Sequence, residues 1–475
     1  MSVLQQHVGL YTDFYEFTMA QAYFLSGKGE TPATFDYFFR ENPFNGGYVI
    51  FAGLDDLLSL IEAFRFDEED VRYLAAQGLD KKFLEYLKSF RFKGTLRSVK
   101  EGEVVFPLET IVRVDGTIIE AQIIETLLLN ILNFESLIAT KASRIRTIAG
   151  DRRIVDFGLR RAQGLGGIHA TKAAMIGGFN ATSNVYSGFR YGLEITGTQA
   201  HSWIQSFGDE LSAFRKFAEI FPDKCVLLVD TYNTLKSGIP NAITAAKELE
   251  ARGHRLAGIR LDSGDLAYLS RRARTMLDEA GLQYVKIIAS NQLDEYVIRS
   301  LLDQNAPIDG FGIGTRLVTG QPAAALDGVY KLSMCDNLPR LKFSENFAKI
   351  TLPGRKKVLR YTDRDGMFYG DAVALEDERD LDWMYHPFFP ENRSPVQRMP
   401  SEPLTNIVMK DGRAARHWSI RDSATYAQKR LKTLAPEHQR FENPHVYKVG
   451  ISRGLMQMRS EIVDSFQKTF LGGST

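Results

Sequence analysis

From about residue 150 the chain alternates two patterns of apolar positions. Short β-rich apolar runs at Arg153–Phe157, Leu193–Gly197, Cys225–Asp230, Ala257–Asp262, Val285–Ala289 and Gly310–Gly314 read as buried strands. Between them, apolar residues recur every three or four positions. That spacing predicts helices at Ala170–Ile176, Ser206–Ile220, Pro240–Arg252, Asp265–Ala280 and Leu293–Asp303, with a further short strand near Gly178–Thr182. A repeat of roughly 30 residues is the length of a βαβ unit and predicts a parallel sheet. Six or seven such units fit either a barrel or an open doubly wound sheet. Every one of the six strands ends on polar or glycine residues. In an open sheet only the strands at the switch point share a crevice, whereas in a barrel all of them feed one mouth. The pattern therefore predicts an α/β chain built on a (β/α) barrel.

The flanking regions read differently. A helix at Phe14–Phe24, a strand in TPATFDYFFR, two helices between Gly53 and Phe90, and strands turning at Glu101-Gly102 and Asp115-Gly116 describe an α+β domain, with helix Ile118–Phe134 leading out. Beyond about 330, LPRLKFSENFAKITLPGRKKVLRYTDRDGMFYGDAVAL reads as short strands, followed by helices at Ser423–Thr433 and Arg453–Phe470. The expected organisation is 1–135 as an N-terminal α+β domain, 136–345 as the barrel, and 346–475 as a smaller C-terminal region partly packing back on the first.

Composition narrows the function classes. With 475 residues, two or three domains are expected. A net charge of +1 gives no electrostatic reason to invoke nucleic acid or an acidic membrane surface. Cys225 and Cys335 are too few for a disulfide framework or a Cys-rich zinc module, and suit a reducing cytosol. The longest apolar run, Ile123–Phe134, is broken by Glu125, Thr126 and Asn130, so no membrane span is expected. The start, MSVLQQHVGLYTDFYEF, lacks the pattern of a secretory signal. A cytoplasmic location is the expectation.

The strand ends carry the candidate chemistry. LEITGTQAHS places His201 in the loop between a strand and a helix. GFGIGT, at 310–315, offers backbone N–H groups and the Thr315 hydroxyl to a phosphate, or simply a tight turn. Arg260 and Asp262 flank Leu261 and so point to one side of their strand. They fill the barrel interior, or else they serve an anion and a set of hydroxyls or a divalent cation, with Ser263 close behind. Asp230 is a second carboxylate suited, with Asp262, to Mg²⁺. In DFGLRRAQG, Phe157 is either core or a ring stacked on a flat substrate beside an arginine.

TDFYEFTMAQAY, FFRENPFNGGY, EGEVVFP, ATKASRI, DFGLRRAQG, GTQAHS, GIRLDSGDL, GIGTRLVT and TLPGRKKVLR together resemble nicotinate phosphoribosyltransferases over residues 8 to 360. The resemblance implies the distorted, complete or incomplete, (β/α) barrel of the type II phosphoribosyltransferases and an ATP-coupled reaction of nicotinate with 5-phosphoribosyl 1-diphosphate. It implies that His201 is phosphorylated by ATP, and that the pyridine ring lies between Phe157 and Tyr15. Tyr15 would come from the neighbouring subunit of a homodimer with shared sites. Thr198, Arg160 and Arg260 would surround anionic groups. Asp262, Ser263 and Asn291 would meet the phosphoribosyl donor, whose 5-phosphate Gly312, Gly314 and Thr315 would hold. The Cys-rich metal knuckle of some relatives is missing, so a structural zinc is not expected.

Nicotinamide and quinolinate phosphoribosyltransferases are the near alternatives; Gln199, where amide users carry an aspartate, leans toward the acid. A Schiff-base aldolase barrel is the alternative from another class, but its lysine would have to be Lys286, at the wrong end of its strand.

Overall fold

The computed structural model describes residues 6–342 and 351–470. The chain forms two compact units, one of residues 141–324 and one of 1–140 with 325–475. The boundary expected at 345/346 and the part of the predicted strands at 343–350 lie outside the described residues, as do the first five residues of the amino terminus.

Residues 141–324 hold a six-stranded sheet whose pairings are all parallel. Its order is Ala181–Thr182, Arg153–Asp156, Gly310–Ile313, Lys286–Ser290, Gly258–Leu261, Val226–Leu228. Ile195 adds a parallel bridge to Thr182 at one edge. Taken around the sheet, the seven segments follow chain order, and the last, Gly310–Ile313, pairs with the first, Arg153–Asp156. That is barrel order. The barrel is incomplete: among the described residues no backbone pairing joins the Ile195 segment to Val226–Leu228, and the side chain of Gln199 reaches the Val226 carbonyl instead, at 3.3 Å.

The expected strand Leu193–Gly197 is thus reduced to a single bridge. Gly192, at φ 64°, leads into it, and Gly197 follows directly. The expected helix Ser206–Ile220 is also divided. His201–Gln205 forms a short helix, Gly208 breaks the run, and Asp209 caps Glu210–Ile220 by accepting from the Ser212 N–H at 2.9 Å. Further helices of this unit include Gly166–Ile176, Val185–Tyr191, Ile239–Ala251, Leu266–Glu279 and Glu295–Asp303. Asp265 caps Leu266–Glu279 by accepting from the Tyr268 N–H, and Asp294 caps Glu295–Asp303 by accepting from the Tyr296 and Val297 N–H groups. The helices bury one face against the strands in a core that includes Phe214, Leu227, Val229, Ile239, Leu249, Ile259, Leu277 and Ile287.

The second unit contains a seven-stranded antiparallel sheet centred on Pro32–Phe39 and Val112–Thr117. Gly328–Cys335, inside the span assigned to the barrel from sequence, pairs with Pro32–Phe39 in that sheet. A six-stranded sheet follows from Lys356–Thr362, Phe368–Leu375 and Val449–Ile451 with shorter neighbours. Beside an apolar core that includes Tyr361, Ala372, Met384 and Val396, it buries charge. Arg360, fully buried, holds Asp371 through two nitrogens and Glu103 at 2.6 Å, while Tyr447 donates to Asp371 at 3.0 Å. Burial, then the Asp371 charge, pushes the Glu109 carboxyl well above the usual carboxylate range.

The helical stretch Ile118–Ala149 is long and apolar enough to cross a membrane by composition. Ile119, Leu127, Leu128, Leu132, Ile138 and Ala142 are fully buried, however, and Lys141 and Arg144 on it are paired with Glu295 at 2.5 and 2.9 Å. It is a core helix.

Candidate active site at the carboxyl ends of the parallel strands

The site is built outward from Asp230 and Asp262, which follow neighbouring strands. One Asp230 oxygen, Oδ2, accepts from the Asp262 N–H at 2.7 Å and the Ser263 hydroxyl at 2.8 Å. Its other oxygen is buried and without a hydrogen-bond partner among the described residues. Asp262 Oδ1 takes the Ser290 hydroxyl, and Oδ2 lies 4.0 Å from His201 Nε2. His201 Nδ1 is 3.1 Å from the Thr231 hydroxyl. Arg260 donates to the Thr198 hydroxyl at 2.7 Å and the Gln199 carbonyl at 3.1 Å, and its buried Nε has no partner among the described residues. Burial lowers the Arg260 pKa; Asp262 and then Asp230 oppose that shift. Thr198, His201, Asp230, Arg260, Asp262 and Ser263 therefore form one hydrogen-bonded and electrostatic group, as the strand-end pattern predicted.

On the other side of the sheet's centre, Asp156 is fully buried and accepts from Gly158 N–H (2.8 Å), Thr171 (2.7 Å) and Thr182 (2.8 Å). Desolvation raises its pKa while those three donors pull it down. Phe157 follows, half-buried. A side chain at Gly312 would place its Cβ 2.3 Å from the Phe157 ring, so the ring lies over this glycine. Gly312 accordingly has a packing duty that the phosphate reading of GFGIGT did not foresee. Gly314 precedes the four-residue helix Thr315–Val318. Arg160 is exposed on the 3-10 turn Leu159–Arg161.

Asn291 and Gln292 both have positive φ, 78° and 53°, and Asn291 is exposed after its strand. Tyr15 belongs to the other unit. It stands near the start of helix Phe14–Leu25, 46% exposed beside Phe14 at 51%. Lys286 opens its strand and pairs with Asp309 at 3.1 Å, far from what a Schiff-base lysine requires. Ser290 stands with Asn291 at one of the expected polar strand ends, but its bond to Asp262 was not foreseen, and Thr231 and the Arg316–Asp294 ion pair were missed from sequence. A hydroxyl or an arginine next to a recognised strand end was the available signal.

Three family profiles match in succession: the nicotinate phosphoribosyltransferase N-terminal domain over 10–133, the nicotinate phosphoribosyltransferase family over 152–339, and the C-terminal domain over 355–459. The nicotinate phosphoribosyltransferase of Bacillus subtilis is 44% identical over 457 residues, covering 94% of this chain and 93% of that protein. The chain belongs to the nicotinate phosphoribosyltransferase family. The Caenorhabditis elegans member is 36% identical, with 94% and 92% covered. The crystal structure of human nicotinic acid phosphoribosyltransferase superposes with a TM-score of 0.85 at 31% identity, covering 95% of this chain and 99% of that one.

The packing of Phe157 on Gly312 gives this family member a sharp test. Gly312→Ala should cost about 1–3 kcal/mol of stability in denaturant unfolding, because the ring must shift. Gly197→Ala, where an added Cβ meets nothing within 4 Å, is the control and should be near neutral. Equal effects of the two substitutions would mean that the ring yields freely.

Proposed function

We propose that the protein is a nicotinate phosphoribosyltransferase: nicotinate, 5-phosphoribosyl 1-diphosphate, ATP and water give nicotinate mononucleotide, diphosphate, ADP and phosphate. The observation that carries this reading is the match over 94% of the chain to a protein of that name. The group of open-valence residues at the strand ends supports it. Loss of diphosphate from C1 leaves an oxocarbenium-like centre, so the protein has to hold nicotinate in line and stabilise charge. Phe157 supplies one face for the ring. Thr198, Arg160 and Arg260 suit the anionic groups; the free Nε of Arg260 is a donor in waiting. Asp262, Ser263 and Asn291 serve the ribose end of the donor, with Gly314 and Thr315 as the more open part of the 5-phosphate turn and Gly312 beneath Phe157.

The unpartnered Oδ1 of Asp230, near Asp262, fits Mg²⁺ brought with the diphosphate. When bound, Mg²⁺ supplies charge neutralisation on the leaving group. Gln199 spends its amide nitrogen on the Val226 carbonyl and keeps Oε1 without a partner among the described residues, so this side chain does not by itself separate acid from amide, and the assay has to. The location proposed is the cytoplasm. Nicotinate, nicotinamide and quinolinate assayed side by side should give product with nicotinate alone at substantial rate; a preference for either of the others would overturn the substrate assignment.

His201 is the proposed phosphoryl acceptor, held by Thr231 and facing Asp262. With γ-labelled ATP it should acquire acid-labile, base-stable label. His201→Ala should retain a slow ATP-independent transfer and lose stimulation by ATP. Full stimulation in the alanine variant would remove the histidine from the mechanism.

A homodimer with shared sites is proposed on the exposed apolar residues. Besides Phe14 and Tyr15, helix Val185–Tyr191 presents Val185, Tyr186 and Phe189, the last 88% exposed. A second copy would cover such a set. Tyr15 would then supply the other face of the neighbour's nicotinate site, worth about 0.5–1.5 kcal/mol. Tyr15→Ala and Phe157→Ala homodimers should each bind nicotinate poorly. Mixed dimers put both lesions in one site and should recover about half the activity per dimer if the sites are independent. Verified mixed dimers without recovery would place Tyr15 in service of its own subunit.

A further inference from the structure

The loop between helix Ile420–Thr433 and strand Val449–Ile451 gathers two imidazoles and a carboxylate that the proposed reaction does not use. One ligand atom from each of Glu437, His438 and His445 lies within 4.8 Å of the others. We propose that these three residues bind one divalent transition-metal ion of the zinc class.

Three observations carry this. First, the loop is closed by its own backbone: the His445 N–H donates to the Glu437 carbonyl at 2.9 Å, so residues eight apart are held side by side. Gln439 fastens the turn by donating to the carbonyls of Leu431 at 3.0 Å and Leu434 at 2.6 Å. Gly47 passes so close that a Cβ there would sit 2.0 Å from the His438 carbonyl oxygen, which fixes the buried side of the turn.

Second, the tautomer of His438 is set. Its Nδ1 lies 2.7 Å from the His445 carbonyl oxygen, which can only accept. Nδ1 must therefore carry the proton, and Nε2 of the neutral ring keeps a lone pair. A ring nitrogen oriented through a hydrogen bond from its other nitrogen to a carbonyl is the usual state of a metal-binding histidine. Tyr447 packs edge-on against the same ring, with centroids 5.4 Å apart, and limits its rotation.

Third, the remaining two ligands can adjust. The His438 and His445 rings are nearly parallel, 26° apart with centroids at 5.2 Å. Tetrahedral Zn–N bonds of about 2.0–2.1 Å need ligand atoms roughly 3.3 Å from one another. His445 is exposed and Glu437 half-exposed, so side-chain rotation suffices to draw them in. An open depression of about 590 Å³ borders Glu437 and His445, so an ion there would be reached from solvent on the side of these two ligands. Two imidazoles with one carboxylate select zinc, cobalt or nickel over magnesium and calcium, which prefer all-oxygen shells.

The other exposed cluster, His7 with Asp67 and Asp70, is a closed ion pair instead: Nδ1 of His7 is already 2.5 Å from Asp70. The expectation from sequence, that no structural zinc is present, looked only at cysteines.

The test uses the full chain, stripped with a chelator and titrated with Zn²⁺ by calorimetry and with Co²⁺ by visible absorption. One ion per chain is expected, with a rise in melting temperature. His445→Ala and Glu437→Gln alter solvent-reaching side chains and should fold normally, yet weaken binding at least about tenfold and abolish the thermal shift. His201→Ala should leave the Co²⁺ spectrum unchanged. A wild-type protein that takes up no Zn²⁺ overturns the proposal. So does binding undiminished in both loop variants, or lost in His201→Ala.

Discussion

The carboxylate of Asp156 sets the geometry on which one half of the candidate site depends. It is fully buried and ends its strand, and it must be satisfied there. Its three donors come from the next turn (Gly158), the following helix (Thr171) and the neighbouring strand (Thr182). A hydrogen bond to a charged acceptor contributes about 1.5–3 kcal/mol, and leaving such a group unpaired in the interior costs more. The turn after the strand is therefore not free to vary: Gly158 is pulled back toward Asp156, and Phe157 between them is turned onto Gly312. A ring held in that way can offer a flat face without paying rotamer entropy when a ligand arrives.

The contrast between buried and open charges separates structural from functional roles. Arg360, Asp371, Glu103 and Arg430 answer one another within the antiparallel unit, and Lys141 and Arg144 answer Glu295 within the other. Such clusters are close to neutral in net stability, because desolvation offsets most of the attraction, but breaking one partner is costly. At the strand ends the pairing is unfinished. Asp230 keeps a buried oxygen and Arg260 a buried nitrogen without a partner among the described residues. A fold does not leave an acceptor and a donor unpaired in one place without cost, and a ligand that supplies both partners recovers it.

How much of this was legible in the sequence follows from the range of the interactions. The strands from Cys225 onward are short apolar runs whose signal is local, and all of them appear. Leu193–Gly197 failed because apolar spacing cannot tell a strand from a loop that touches the sheet at one residue, Ile195. The helix after His201 was read through Gly208, since its apolar positions keep their spacing on both sides of the break. The roles of Thr231 and Ser290 were hidden for another reason. A hydroxyl beside a strand end marks a position without naming its partner, and each of these meets a residue about 30 positions away.

The resemblance and the physical reading were not equally informative about each residue. The motifs named Gly312 for a phosphate, and only the coordinates show that its missing side chain is what admits the Phe157 ring. The ring and the turn are thus linked: the segment that contains Gly312 also sets the height of the aromatic face beside it. Under the proposed roles, nicotinate would meet the ring and the 5-phosphate the turn, and a change at one should then be felt at the other through Gly312 even where no residue touches both.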